Sequence, residues 1–308
     1  MTFDATFWVT ISFFIFIGIL IYFKIPQKVK TILEQNILDI KNQISEAEKL
    51  KEDAKNILID HLGASSVATN NELNLENNTI TVAAFSDIDG VLDFDNGGIF
   101  DANGTFDATG GTVQFTGTGG TLKLGGATVT SLGNTLTEGS GTIEYDYAGN
   151  QTVLSETYYN LTINNTHGSN KVTPGSAITV TNVLNINDGI LATPASDYDD
   201  VTIGSNGTLE LTGNITVSGD WSDAGLLTPS SNTVTFDGSS AQSITSNGSV
   251  FHTVTISNTS AAVSIADKFE FATGTLTINS SAIFALAGNE FDDNGATITN
   301  NPAKKIMK

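Results

Sequence analysis

From about residue 70 to residue 300 the sequence consists of short runs in which apolar and polar residues alternate. Examples are Thr112-Val113-Gln114-Phe115, Asn160-Leu161-Thr162-Ile163, Thr208-Leu209-Glu210-Leu211, Thr253-Val254-Thr255-Ile256 and Thr275-Leu276-Thr277-Ile278. Alternation places every apolar side chain of a run on one side of a strand, and the β-branched content suits that conformation. Clusters of Gly, Asn, Asp and Ser separate the runs, as turns require. The runs also recur. Gly141-Thr142-Ile143-Glu144-Tyr145-Asp146 parallels Asn232-Thr233-Val234-Thr235-Phe236-Asp237, and each copy is followed by a glutamine, Gln151 or Gln242. Tyr158-Tyr159-Asn160-Leu161-Thr162-Ile163-Asn164-Asn165-Thr166 then parallels Phe251-His252-Thr253-Val254-Thr255-Ile256-Ser257-Asn258-Thr259, and Gly111 to Phe115 is a weaker copy of the first motif. Separations near 30 and 90 residues predict a stacked repeat of about 30 residues per coil, or a simple fraction of that, around a continuous Val/Ile/Leu/Phe core. The predicted fold of residues 73–300 is a parallel β-helix, with an array of β-sandwiches as the alternative.

The N-terminal fifth has a different texture. Gly18 is its only glycine, and Phe7 to Phe23 reads FWVTISFFIFIGILIYF without a charge. About 17 to 20 helical residues cover the ~30 Å hydrocarbon core of a bilayer. Phe7, Trp8, Phe13, Phe14, Phe16, Ile19, Tyr22 and Phe23 are therefore expected to face lipid, with Trp8 and Tyr22 near opposite interfaces. A buried core helix and a secretory signal peptide are the alternatives; the acidic Asp4 and the bulky end at Ile21-Tyr22-Phe23 argue against the second. Lys24, Pro26 and Lys28 mark the expected membrane exit, with Lys30 just beyond. Cations on that side alone put the N-terminus outside and the rest inside. Pro26 predicts a kink or a fresh helix start. After it, Leu33, Ile37, Ile40, Ile44 and Ala47 recur at helical spacing, a narrow stripe suited to pairing with another helix. The helix pattern ends near His61-Leu62-Gly63.

The ordered combination FWVTISFFIFIGILIYFKIPQKV and ILDIKNQISEAEKLKEDAKNILID resembles the start of the b subunit of bacterial F-type ATP synthases. The matching elements are Phe7-Trp8, the apolar span, Lys24-Ile25-Pro26 and the Glu46-Ala47-Glu48-Lys49-Leu50 helix. The resemblance implies a stator element without catalytic residues, a bacterial inner-membrane location, and partners among the membrane-sector subunits or a second copy of the amphipathic helix. It ends near Asp60, and about 35 helical residues span only ~50 Å, so the expectation is an anchor rather than a full stalk. Residues 70–300 resemble, in composition and period, the repeat regions of bacterial adhesins, autotransporter passengers and filamentous-haemagglutinin-like surface proteins.

Charge narrows the functions available. All 13 basic residues are lysines, seven of them before residue 62, against 33 acids in the whole chain. The net charge of −20 therefore falls almost entirely on the repeat region, which would repel phosphate backbones, so no nucleic-acid partner is expected. There is no cysteine for disulfides, thiolate metal sites or nucleophilic chemistry, and no cofactor motif is present. Asp87, Asp89, Asp93, Asp95, Asn96, Asp101 and Asn103 form an oxygen-rich stretch in which Asp93, Asp95 and Asp101 are calcium candidates. The spacing completes no known loop: Gly97 follows too early and the distal Glu is missing. Asp197, Asp199 and Asp200 form one carboxylate cluster that acid–base chemistry could use, and Asp292 and Asp293 form another; ordinary turn capping is the competing role. His61, His167 and His252 are isolated.

The sequence thus predicts a membrane helix and stalk over 1–61, a linker over 62–72, a β-repeat over 73–300 and a tail over 301–308. The expected protein is a non-catalytic, single-pass inner-membrane protein with lipid as its first partner and an unnamed solenoid ligand. An inward-facing repeat conflicts with adhesin-like texture. The leading expectation is therefore a truncated b-like segment fused near residue 62 to an adhesin-like solenoid, as a chimeric reading frame from rearrangement or misassembly. A tethered surface adhesin or glycan-binding solenoid and a polysaccharide-acting β-helix enzyme are the alternatives.

Overall fold

The computed structural model describes residues 5–22, 27, 30, 34–49, 65–67, 72–166, 168–300 and 306–307. The chain divides into two compact units, Met1–Leu58 and Ile59–Lys308. Phe23, Lys24, Pro26, Lys28, Leu33, His61, His167, most of the 62–72 linker and most of the tail lie outside the described residues.

In the first unit, helix α1 spans Ala5–Tyr22 and contains no acidic or basic residue. Phe7, Trp8, Phe13, Phe14, Phe16, Ile19 and Tyr22 all belong to it and stand exposed around its circumference. Among the described residues, however, no helix is long and apolar enough to cross a membrane. The 18 residues of α1 measure about 27 Å at 1.5 Å each, at the lower limit for a ~30 Å hydrocarbon core. The expected span is therefore not shown by this helix. Residues 34–49 form a second helix, α2. Ile37, Ile40 and Ile44 are more than half exposed along it, and Lys30 meets Glu34 at 3.7 Å one turn on.

The second unit is a three-faced parallel β-solenoid. One coil comprises the strands Ser86–Ile88, Val91–Asp93 and Ile99–Ala102; the next comprises Phe106–Asp107, Thr112–Gln114 and Thr121–Leu124. Each strand pairs in parallel with its counterpart one coil on. Later strands run around corners: Thr179–Thr193 and Ser196–Leu211 bend at register shifts between Val180 and Val183 and between Ile186 and Asp188. This settles the choice between β-helix and sandwich, because a sandwich would pair sequential strands antiparallel.

The coil length differs from the expected 30 residues. Thr79 pairs with Ile99, Ile99 with Thr121 and Thr121 with Thr142, so a coil takes about 20 residues. Thr112 pairs with Thr135 on the second face, whereas Thr142 pairs with Thr121 on the third. The 30 residues between Thr112 and Thr142 therefore carry the chain one and a third coils. Likewise Thr233 pairs with Thr253, on a different face from Thr142. All three faces ask for the same inward–outward alternation, so the recurring motif marks a face rather than a coil.

Parallel sheets are usually buried on both sides and read as continuous apolar runs. Here the sheet closes on itself and its outer side meets water, which is why the strands alternate. Ile80, Phe100, Leu122, Ile143, Leu161 and Leu184 are register partners and form one buried interior column. Each such side chain contributes about 1.5–3 kcal/mol of burial. Corners impose a separate constraint. A Cβ on Gly126 would sit 1.9 Å from the Gly104 carbonyl oxygen, and one on Gly104 would sit 1.9 Å from that of Ala84; backbone stacked so closely leaves no room for a side chain.

Two buried glutamines hold corners together. Gln151 Nε2 donates to the carbonyls of Leu124 and Gly126 at 2.7 and 2.8 Å. Gln242 Nε2 donates to Val217 and Gly219 at 2.9 and 2.7 Å. These are the two glutamines that follow the recurring strand motif.

Candidate functional site

The Asp197-Asp199-Asp200 cluster lies where the strand Ser196–Leu211 turns from one face to the next. Asp197, Asp199 and Asp237 line a shallow, open groove of about 560 Å³, together with Thr179, Thr216 and Ser218. Asp200 is not in its lining. Each carboxylate is engaged by the following coil. Asp197 accepts a hydrogen bond from the Thr216 hydroxyl at 2.6 Å, Asp199 from the Ser218 hydroxyl at 2.9 Å, and Asp200 from the Asp220 amide at 2.6 Å. Asp220 repeats the device by accepting from the Ser243 amide at 2.8 Å. These acids stitch coil to coil, and the groove offers hydroxyls and carboxylates but no cation.

The calcium candidates are not brought together. Asp93 is buried on the second face and accepts from the Thr116 hydroxyl at 2.8 Å. Asp101 points outward from the third face and accepts from the Thr81 hydroxyl at 3.3 Å. Among the described residues no group of three acids or histidines is placed to hold a metal. Asp292 and Asp293 accept from the amides of Asn294 and Gly295, ordinary turn geometry. His252 Nδ1 lies 2.9 Å from the neighbouring Thr253 hydroxyl.

A cluster that the sequence did not single out surrounds Lys123. Asp101, Lys123 and Glu144 are outward-facing register partners on successive coils, and Lys123 Nζ meets Glu144 at 3.1 Å. Beside them, Asp146 Oδ1 is buried without a hydrogen-bond partner among the described residues. Burial first, then the Glu144 charge, pushes Asp146 up to about 6 against the opposing pull of Lys123. Asp237, which occupies the matching place in the second copy of the motif, is also raised, by partial desolvation and then by Asp197. The signal in the sequence was that both copies end in Asp.

Asp146 makes a prediction with a definite sign. Its folded-state pKa lies above the free value of 3.8, so folding favours the protonated form. That stabilisation is complete below about pH 4 and lost as pH rises through about 6. Asp146→Asn should therefore stabilise the solenoid above pH 7 by about 1–2 kcal/mol after discounting for partial exposure. Thermal melts at pH 4 and pH 8 measure this; an equal shift at both pH values would contradict it.

Lysines pair across coils as well. Lys171 meets Glu210 at 2.6 Å, and Lys268 contacts Glu270, Glu290 and Asp292. With Lys123, these are all the described lysines of the solenoid, and each links strands of the acidic surface.

Comparison with known proteins places the similarity at the N-terminal end. Subunit b of the ATP synthase of Paracoccus denitrificans is 43% identical over 54 residues, 18% of this chain and 29% of that protein. Subunit b 2 of Brucella anthropi is 41% identical over 58 residues, 19% of this chain and 36% of that protein. Subunit b of Sphingopyxis alaskensis is 39% identical over 54 residues, 18% and 31% respectively. The chain thus spans about a third of the length of the curated relatives it matches. No family model and no solved structure matches the chain.

Proposed function

We propose that a segment similar to the start of ATP synthase subunit b serves here as a membrane tether for a non-catalytic β-solenoid. The observation that carries this reading is α1 itself. It is uncharged, apolar on every side, and leaves Trp8, Phe13, Phe14 and Phe16 more than half exposed. A helix apolar all round needs an apolar environment. A span a few ångströms short is accommodated by local thinning of the bilayer and by snorkelling of flanking side chains. Lys24, Lys28 and Lys30 on one side alone favour an outside N-terminus in a bacterial inner membrane. The solenoid follows by Ser65, where its first strand begins, so the helical part tethers rather than reaching across a full stalk. Membrane-sector subunits of an ATP synthase are candidate partners, and α2 supplies the stripe Ile37, Ile40, Ile44 for a helical neighbour.

The solenoid acts by binding rather than by turnover in this reading. The groove lined by Asp197, Asp199 and Asp237 is open, and Asp197 and Asp199 accept hydrogen bonds there from the next coil.

Flotation of the full chain with phospholipid vesicles tests the tether. The full chain is expected in the floated fraction, and Phe14→Arg should cut that fraction at least tenfold, since an Arg at a helix centre costs about 2.5–3.5 kcal/mol. A wild-type chain left in the aqueous fraction would remove the tether. Co-purification with the ATP synthase membrane sector then distinguishes a partner from a bare anchor.

A further inference from the structure

Four consecutive strands on one face carry the pattern Thr-x-Thr, with the middle residue turned inward on the first three: Thr233–Phe236, the end of Val250–Ile256, the end of Phe269–Ile278, and Thr297–Asn300. Their registers leave no offset. Thr233 is opposite Thr253, Thr253 opposite Thr275 and Thr275 opposite Thr297; Thr235, Thr255, Thr277 and Thr299 form a second column. Parallel strands lie about 4.8 Å apart, and alternate residues of a strand about 6.6 Å apart. The eight threonines therefore form a rectangular lattice. Their β-branched side chains are stiff at χ1, so the lattice presents methyls and hydroxyls in fixed places.

We propose that this lattice binds ice, by ordering a layer of water that continues into the crystal. Three observations favour crystalline water over other ligands. The two columns contain no charge in a chain of net charge −20, and ice is a neutral surface. Among the described residues only the Thr253 hydroxyl has a side-chain partner, His252, so the rest are free to donate and accept. The eight threonines stand in exact register with regular spacing in both directions, which complements a periodic solid, and no aromatic side chain stands among them as a platform of the kind on which sugars stack. Water bridging to such hydroxyls is enthalpically nearly as good as a direct bond. The proposal goes beyond the tether and does not depend on it.

Ice-affinity partitioning of the full chain in detergent tests the proposal. The wild-type chain should enrich in slowly grown ice. Thr255→Lys, at the middle of the lattice, should lower that enrichment at least tenfold, about 1.4 kcal/mol. Thr202→Lys, the same change on another face, should not. Should Thr255→Lys fail to fold by circular dichroism, Thr277→Lys one coil on decides in the same way. No enrichment of the wild type, equal enrichment of Thr255→Lys, or binding to insoluble crystalline polysaccharide without binding to ice would each overturn the proposal.

Discussion

Phe269→Ala is expected to lower the melting temperature of the solenoid by about 10 °C, and to do so at one end. Phe269 is fully buried. Its ring lies 4.8 Å from that of Phe251, 5.4 Å from Phe271, 5.9 Å from Phe284 and 6.4 Å from Phe291, so it is the node of an aromatic cluster spanning several coils. Truncation removes the transfer free energy of the ring and leaves a cavity that stacked coils cannot collapse into; such changes cost about 3–5 kcal/mol. At 2–4 °C per kcal/mol for a domain of this size, the shift is about 10 °C. A solenoid coil touches only its neighbours, so the loss should not spread evenly. Hydrogen exchange should show protection falling beyond residue 250 while the coils around Leu122 and Ile143 keep theirs. A melt unchanged within 2 °C would mean that the cluster is not a packed core.

Gln242→Met is expected to cost about 3 kcal/mol, and Gln151→Met clearly less. Methionine keeps the volume and removes the amide. At Gln242 four bonds disappear: the two donated to Val217 and Gly219, and the two its oxygen accepts from the Gly238 amide at 3.0 Å and from Asn258 Nδ2 at 3.1 Å. Buried groups left without partners cost about 1–3 kcal/mol each, with some relief from water at a corner. At Gln151 only the two donated bonds disappear, because its Oε1 has no partner among the described residues. Urea melts of both variants give the comparison, and equal losses would show that the oxygen-side bonds to Gln242 contribute nothing.

These two predictions also show how far the sequence could be read. The paired glutamines were visible as members of a repeat, yet nothing in the chain said that they bridge carbonyls two dozen residues earlier. Asp197, Asp199 and Asp200 were visible as an acid cluster, and only the coil stacked beside them assigns the hydroxyls of Thr216 and Ser218 to two of them. Asp93 and Asp101 looked close in a run of oxygen ligands, but eight residues span a corner of the coil and send them to different faces. Asp146 went unnoticed because its carboxyl is ordinary until burial and Glu144 act on it.

By itself the sequence determined strand and turn, since inward–outward alternation and turn residues are local properties, and it determined that an uncharged apolar helix precedes them. It also carried the likeness of that helix to ATP synthase subunit b. Tertiary structure alone decided the coil length, the face on which each motif falls and the alignment of Thr235 with Thr255 and Thr277. Period 2 is indifferent to how many residues the corners absorb. Only the stacking of one coil's backbone on the next, at corners as tight as Gly104 over Gly126, fixes that number.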